Sequence, residues 1–212
     1  MISIMDQSGD ISRPSPRSGE ADLGSSEGEP PPALALDIVR DAGDWAPFEP
    51  VEPAIECAAQ AVARHGQRVA QWPVPGGILS VCIALSDDAA VAALNMSWRG
   101  KDTPTNVLSF PAPALPGEVA AHGAAPVANR QDPRFLGPRF LGDVILAAET
   151  LQREARQMQI PPAQHLQHLV VHGLLHLLGH DHEREADAVI MEALETDILA
   201  TIGVADPYAA GN

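Results

Sequence analysis

The sequence predicts an α+β domain in which a small mixed sheet of four strands packs with about five helices. Four short segments alternate apolar and polar residues or form short apolar runs, as strands do. Five other segments place apolar residues three or four positions apart, as amphipathic helices do. The last three helical segments follow one another without a strand between them, which favours an α+β arrangement over regular alternation.

The first two strands are predicted on either side of a helix. Residues 34–41 (LALDIVRD) alternate apolar and polar side chains, and residues 78–85 (ILSVCIAL) form an apolar strand. The helix lies in the segment EPAIECAAQAVARHG, where Pro53 suits the first turn and Gly66 suits the end.

A short second helix and a third strand follow. Ser86 is the expected N-cap of a helix that ends at about Leu94. Asp87 and Asp88 lie in its first turn, where their negative charge favours the helix dipole. A polar loop then leads into the short strand VLSF at residues 107–110.

The rest of the chain holds a long loop, the fourth strand and three helices. Residues 112–138 are rich in Pro, Ala and Gly without a sustained period, so we expect a long surface loop there. FLGDVILA at residues 140–147 is the fourth strand, and AETLQREARQMQ begins a helix that runs up to Pro161. A helix from Pro162 to Gly179 and another in EREADAVIMEALETDILATIG complete the domain. The last helix places four apolar residues on one face: Ala186, Ile190, Leu194 and Ile198.

The ends of the chain and its net charge limit the class of protein to which it can belong. Residues 1–33 are rich in Ser, Gly, Pro and acidic residues and are predicted to be a disordered acidic extension, the domain spans 34–203, and 204–212 form a C-terminal tail. With neither a secretory signal nor a long apolar segment, the protein is expected to be cytoplasmic, with no membrane partner. The formal net charge of −15, of which the extension carries −4, argues against nonspecific nucleic-acid binding through a broadly basic surface.

Four of the eight histidines lie in the stretch HGLLHLLGHDH, residues 172–182. His172 and His176 are four positions apart, so a helix presents both on one face with Cβ atoms about 6 Å apart. Gly179 can end the helix in a left-handed turn, after which His182 can approach the same point. Three imidazoles leave one tetrahedral position open, the arrangement of a catalytic zinc site. We therefore predict one metal ion per chain, with zinc favoured, although nickel, copper or iron tolerates the same ligands.

The alternative is that these histidines only pack in the core. We expect that role for His165, His168 and His180. For the trio in the motif, packing alone is disfavoured because the helix is apolar almost all round and a buried ring without a partner costs about 1–3 kcal/mol. A bound metal ion removes that cost.

The same helix resembles the metal helix of zincin peptidases, whose metzincin pattern is HExxHxxGxxH. The chain reproduces the three histidines and the glycine, but Gly173 stands where those enzymes carry the glutamate that serves as general base. Because a glycine inside a helix costs about 1 kcal/mol relative to alanine, we expect Gly173 to meet a need for space. The fold prediction therefore includes a zincin-like metal helix.

Three ordered motifs resemble those of the YbeY family, bacterial endoribonucleases of rRNA maturation. HGLLHLLGHDH resembles the family signature HGxLHLxGxDH, and FLGDVILA resembles its Leu-Gly-Asp-Ile strand. LNMSWRGKDTPTNVLSFP resembles its segment of Asn, an aromatic residue, Arg and then Lys-Asp-x-Pro-Thr-Asp-Val-Leu-Ser-Phe-Pro. The matches run in order from about position 94 to 182, and the predicted elements from 34 to 203 are compatible with them. The acidic extension and the long loop lie outside the resemblance.

The resemblance implies a zinc-dependent endoribonuclease that is specific for single-stranded RNA. It implies one zinc ion held by His172, His176 and His182, and a functional arginine, Arg99, that binds substrate and takes part in catalysis. It also implies 3′-end processing of 16S rRNA and a role in late ribosome maturation and quality control, with the ribosome or small-subunit proteins as partners. The chain departs from the family at Asn106, where Asp is usual; we expect the change to be tolerated because Asn keeps the size and a side-chain acceptor.

The chemistry of Arg99 suits RNA independently of the resemblance. A guanidinium is planar, permanently charged and able to bind a phosphate through two hydrogen bonds. The alternative is a surface ion pair with Asp102. Asp143 is expected to orient a ligand histidine, as carboxylates commonly do. The acidic surface implies either delivery of RNA by a ribosomal partner or a local groove that uses Arg99 with four further cations: Lys101, Arg130, Arg134 and Arg139.

Two other functions stay open at this point. One is a zincin-type metallopeptidase, which the glycine at position 173 disfavours. The other is a non-catalytic ribosome-assembly factor whose zinc only stabilises the C-terminal helices, which the open fourth coordination position disfavours.

Overall fold

The computed structural model describes residues 34–66, 78–113 and 139–209. The predictions that fall outside these ranges concern the acidic extension, most of the long loop, and Arg130 and Arg134. Among the helices in the described ranges, none is both long and apolar enough to cross a membrane.

The described ranges contain four strands, five α-helices and a short 3-10 helix. The strands are β1 (Leu34–Arg40), β2 (Leu79–Ser86), β3 (Val107–Pro111) and β4 (Arg139–Ala147). The helices are α1 (Val51–His65), α2 (Asp88–Arg99), α3 (Ala148–Met158), α4 (Pro162–Leu177) and α5 (Glu185–Ala200). Their number and order agree with the sequence prediction.

The four strands form one mixed sheet in the order β1-β2-β4-β3. Strands β1, β2 and β4 are parallel, and β3 runs antiparallel to β4 at one edge. The predicted α+β architecture with a small mixed sheet is therefore confirmed.

The main apolar core lies between one face of the sheet and helices α1, α4 and α5. Alternate strand residues point to the same face, and Ile83 of β2 and Val144 of β4 are fully buried in this core. Helix α4 is buried on several sides, with Val170 and Leu174 among its inaccessible residues. It is therefore an interior helix, and the side chains on its remaining face are held in fixed positions.

Helix α4 comes very close to the sheet at Gly173. A Cβ atom added there would lie 2.8 Å from Val144 Cγ1 and 3.2 Å from Ser109 Oγ. The Ser109 hydroxyl donates a hydrogen bond of 3.2 Å to the Gly173 carbonyl oxygen. The predicted need for space at Gly173 is confirmed, because a side chain there would push α4 away from β3 and β4.

Helix α2 packs on the other face of the sheet. Val91 of α2 lies with Leu108 of β3 in a second buried cluster, whereas Ser109, the next residue of β3, contacts α4. Since neighbouring residues of a strand point to opposite faces, α2 and α4 lie on opposite faces of the sheet.

Two predictions about α2 were wrong. Its N-cap is Asp87, whose side chain accepts a hydrogen bond of 2.8 Å from a backbone N–H of the first turn, whereas Ser86 is the buried last residue of β2. The helix also continues past Leu94 to Arg99 and ends where Gly100 adopts a φ of 67°. The last turn escaped prediction because its residues are exposed and give no apolar stripe.

The apolar face predicted for α5 was partly wrong. Ile198 is buried, but Ile190 is 60% exposed and Ala186 is exposed as well. The buried face includes Glu195, which is 0% exposed. A hydropathy pattern assigns such a carboxylate to solvent. The buried face of α5 is therefore shifted by about one residue from the predicted apolar face. The buried residues of α5 are Met191, Glu195, Ile198 and Leu199.

The chain beyond α5 packs back onto the domain. Val204 is buried, and the Tyr208 hydroxyl donates a hydrogen bond of 2.6 Å to Glu195 Oε2. Residues 204–209, which the sequence assigned to a C-terminal tail, therefore contact α5.

Candidate metal centre

Helix α4 brings two of the predicted metal ligands together. His172 and His176 are one turn apart, and their Nε2 atoms are 3.1 Å from each other. The His182 ring lies beside both, with ring centroids 5.3 Å and 5.0 Å away from those of His172 and His176. One ligand nitrogen from each ring lies within 4.8 Å of the others. The convergence that the motif predicts is present in the structure.

The turn after α4 returns His182 to the helix. Gly179 adopts a φ of 90°, its N–H donates to the His176 carbonyl at 2.9 Å, and the N–H of His180 donates to the Leu175 carbonyl at 3.0 Å. This pair of bonds is the Schellman arrangement that commonly ends a helix at a left-handed glycine. Gly179 thus has the role predicted for it, and the chain reversal that it allows places His182 beside the helical pair.

Hydrogen bonds fix the orientation of both helical rings. His172 Nδ1 lies 2.8 Å from Glu195 Oε1, and His176 Nδ1 lies 2.9 Å from the carbonyl oxygen of His180. Because both partners are acceptors, each Nδ1 carries the proton and each Nε2 presents its lone pair. Metal-binding histidines are commonly oriented in this way.

The spacing of the two helical Nε2 atoms suits a tetrahedral metal ion such as zinc. Two lone pairs that face each other across 3.1 Å repel unless a cation lies between them. Zn–N bonds of about 2.0–2.1 Å in a tetrahedral site place ligand nitrogens about 3.3 Å apart. The two helical rings are therefore close to the separation that zinc needs, and an all-imidazole ligand set suits that ion.

The electrostatics of the site keep His176 neutral and Glu195 charged. Burial, followed by the neighbouring rings of His172 and His182, lowers the pKa of His176 to about 4. Burial alone would raise the pKa of Glu195, but hydrogen bonds from His168, His172 and Tyr208 outweigh it and lower the pKa to about 2. At neutral pH, His176 is thus free of the proton that would compete with a metal ion.

Glu195 is the residue of this site that sequence reasoning missed. Its Oε2 accepts hydrogen bonds from His168 Nε2 at 3.0 Å and from the Tyr208 hydroxyl at 2.6 Å, while Oε1 faces His172. A signal was present in the sequence, because Glu195 stands at helical spacing from Met191 and Ile198 within an apolar face. A charged residue there needs buried partners, and three lie around it.

The carboxylate that the sequence put forward, Asp143, does not touch the histidines. It lies on β4 opposite Cys82 of β2. The pKa of the Cys82 thiol is raised, mainly by burial and next by the neighbouring Asp143. Asp143 is the strand neighbour of Val144, which faces α4, so Asp143 points to the other face of the sheet. The prediction that it orients a ligand was wrong, and Glu195 has that position instead.

No carboxylate stands where a zincin peptidase has its general base. The space beside Gly173 that a glutamate would need is occupied by Val144 and Ser109. Glu195 cannot replace it, because it is fully buried and contacts the Nδ1 side of His172, away from the shared point. The described residues therefore lack the acid–base group of that peptidase class.

Arg99 lies at the end of α2 and is exposed. Within the described part of the chain its guanidinium forms no hydrogen bond or ion pair, and the expected alternative, an ion pair with Asp102, is not present. The neighbouring Trp98 packs on Phe110 of β3 with ring centroids 5.5 Å apart, and the next strand residue, Ser109, contacts α4. Only the edge strand β3 therefore separates the end of α2 from α4, although no contact joins Arg99 to the imidazoles.

The other histidines of α4 have partners in the core. His165 is 3% exposed, and its Nε2 donates a hydrogen bond of 2.9 Å to Glu154. His168 pairs with Glu195, as described above. For His165 and His168 the expected packing role is thus confirmed, while the Nε2 atom of His180 and the Nδ1 atom of His165 are buried without a hydrogen-bond partner.

A family model and the most similar sequences agree on one family. A family model described as Endoribonuclease YbeY matches residues 51–203. Endoribonuclease YbeY of Parvibaculum lavamentivorans is 45% identical over 181 residues, which cover 84% of this chain and 86% of that protein. The protein of the same description from Rhodospirillum rubrum is 46% identical over 180 residues, 84% of this chain and 82% of its own. The solution structure of TM1509 from Thermotoga maritima gives a TM-score of 0.45 at 17% identity and covers 79% of this chain and 92% of that chain.

Proposed function

The chain belongs to the YbeY family of endoribonucleases, and we propose that it cleaves single-stranded RNA with one zinc ion held by His172, His176 and His182. The natural substrate in this proposal is the 3′ end of 16S rRNA, cleaved in the cytoplasm during late ribosome maturation and quality control. The observation that carries the proposal is the convergence of three imidazole nitrogens within 4.8 Å of one another.

The residues around the trio suit a catalytic site. Glu195 and the His180 carbonyl hold two rings with their Nε2 atoms toward the shared point. His182 is exposed, so the third side of the site is open to solvent and to a substrate. When bound there, zinc would supply Lewis-acid chemistry, which polarises a phosphoryl oxygen or lowers the pKa of a water molecule toward about 7. Three protein ligands leave a position for that chemistry.

We assign binding of the scissile phosphate to Arg99. Its exposed guanidinium is not engaged by any described residue, so it is available for two parallel hydrogen bonds to phosphate oxygens. Those bonds strengthen as negative charge develops on the oxygens in the transition state. An RNA strand that crosses the edge of β3 can contact both the end of α2 and the face of α4.

The charge of the protein limits how RNA reaches the site. The net charge of −15 gives no general attraction for a polyanion. Of the further cations expected in a local groove, Lys101 is exposed and Arg139 begins β4. In this proposal the ribosome or small-subunit proteins deliver the substrate, and the local cations only position it.

The test uses full-length protein of known zinc content, incubated with single-stranded rRNA and, separately, with casein. We expect cleavage of the RNA, and we expect its loss in His176→Ala and in Arg99→Ala. The matched controls are His65→Ala and Arg64→Ala, which remove a histidine and an arginine from the end of α1. Both controls should cleave like the unchanged protein, and casein should stay intact.

Each other outcome of this test has its own interpretation. Cleavage of casein would favour the metallopeptidase, and zinc binding without cleavage of either substrate would favour the assembly factor. Equal RNA cleavage by the unchanged protein and by both active-site variants would indicate a contaminating nuclease. A 2′,3′-cyclic phosphate at the product end would show attack by the RNA 2′-hydroxyl, whereas its absence would favour water.

A further inference from the structure

Glu195 is a buried charge with three hydrogen-bond donors around it. It is 0% exposed, and its three partners come from two places in the chain: His172 and His168 of α4, and Tyr208 beyond α5. A buried carboxylate is strongly unfavourable unless its oxygens are paired. Here both oxygens are paired, so the carboxylate is held in one orientation.

We propose that Glu195, His168 and Tyr208 form a positioning network that sets the affinity of His172 for its metal ion. The segment after α5 is then part of the metal centre. This inference rests on the proposed metal site, and it adds residues that take no part in binding the ion or the RNA.

The two carboxylate oxygens of Glu195 have different hydrogen-bond partners in this network. Oε1 accepts the Nδ1 proton of His172 at 2.8 Å, which leaves the lone pair on Nε2, the atom 3.1 Å from His176 Nε2. Oε2 accepts from His168 at 3.0 Å and from Tyr208 at 2.6 Å. These two donors keep the carboxylate from turning away from His172. The negative charge also makes the imidazole a stronger donor to a cation.

The other two ligands lack such a device. The partner of His176 is a backbone carbonyl, which no substitution removes. The His182 ring forms no hydrogen bond to another described residue. A substitution at Glu195 can therefore alter metal binding, although Glu195 itself takes no part in binding the ion.

The test measures the zinc dissociation constant of the full chain by competition with a chelator of known affinity. We expect Glu195→Gln to weaken zinc binding by about 10- to 100-fold, the range typical for partners that orient a ligand. Tyr208→Phe removes one hydroxyl and should weaken binding by about threefold to tenfold, the range of an ordinary hydrogen bond, because Oε1 keeps its contact with His172. Glu56→Gln is the matched control: the same substitution at an exposed glutamate of α1 that contacts neither the histidines nor Tyr208, and its constant should be unchanged.

A second readout separates positioning from simple stability. In the zinc-free protein, the ¹⁵N chemical shifts of the His172 ring report which nitrogen carries the proton. We expect Nδ1 protonation in the unchanged protein and in Glu56→Gln, and a shift toward Nε2 protonation in Glu195→Gln. A residue that only stabilised the fold would lower the melting temperature without changing this tautomer.

The outcomes separate this inference from the proposed function. If the unchanged protein binds no zinc, the proposed metal site itself is wrong. If the unchanged protein binds zinc and both Glu195→Gln and Tyr208→Phe bind it equally well, the site stands and the positioning network is overturned. Should Glu195→Gln fail to fold, Tyr208→Phe decides alone, because it deletes a single oxygen atom from a half-buried side chain.

Discussion

Asn106 shows how a single residue that departs from the family pattern is built into this chain. Its Nδ2 donates a hydrogen bond of 3.0 Å to Glu154 Oε2, the oxygen that also accepts from His165. Its Oδ1 accepts from the N–H of Val107 at 2.8 Å. Burial raises the pKa of Glu154, but the hydrogen bonds from His165 and Asn106 outweigh burial and lower it. The amide thus supplies a donor where a carboxylate would meet another carboxylate.

We therefore expect Asn106→Asp to destabilise the protein by about 1–3 kcal/mol at pH 8. The new carboxylate would face Glu154, and the repulsion raises the pKa of one of the pair. A raised acid pKa means that the folded state binds more protons than the unfolded state, so stability falls as pH rises through that pKa. The loss should be smaller at pH 5 than at pH 8 in urea denaturation. Adding Glu154→Gln to Asn106→Asp restores a donor and should recover much of the loss; no recovery would show that the repulsion is not the cause.

At the scale of elements, the site depends on how closely α4 lies against the sheet. Gly173, between the two helical ligands, leaves room for Val144 and for the hydrogen bond from Ser109. The same contact that positions the helix also leaves no space for a zincin glutamate. Gly173, which has no side chain, therefore distinguishes α4 from the metal helix of a zincin peptidase.

Gly173→Ala tests this contact. Alanine gains about 1 kcal/mol of helix propensity, but its Cβ would meet Val144 Cγ1 at 2.8 Å, and overpacking costs about 1–3 kcal/mol. We expect net destabilisation, measured as the free energy of unfolding in urea. In a Val144→Ala background the obstructing methyl groups are absent, so Gly173→Ala should cost less or even stabilise. The same cost in both backgrounds would mean that the helix and the sheet are not in contact here.

At the scale of the whole molecule, the proposed metal centre joins segments from three parts of the described chain. Helix α4 supplies two ligands, the turn beyond it supplies His182, and α5 with Tyr208 supplies the network behind His172. A bound ion therefore links the C-terminal segments to the interior helix. Such an ion stabilises the folded state, and it does so with the logarithm of its concentration relative to the dissociation constant, because the unfolded chain has no preformed site.

Zinc should accordingly raise the melting temperature of the metal-free protein. At a free concentration about 100 times the dissociation constant, the stabilisation is about 2.7 kcal/mol, which corresponds to roughly 5–10 °C for a domain of this size. In scanning calorimetry His182→Ala should lose most of this increase, since it removes one of three ligands. His65→Ala, which removes a histidine at the end of α1, should keep it, and an equal increase in both variants would place the ion elsewhere.

The sequence by itself determined the succession of strands and helices along the chain, the three candidate metal ligands and the place of Gly179 and Gly173. These follow from local spacing: periodicity sets each element, and residues four apart on a helix share a face whatever surrounds it. The order of the strands, the packing of α2 and α4 on opposite faces and the position of Arg99 depend on contacts between distant segments. The burial of Glu195 is of the same kind, because a carboxylate enters a core only where other segments supply its donors. Tertiary structure alone brought His168, His172 and Tyr208 around that carboxylate, while it placed Asp143 on the far side of the sheet.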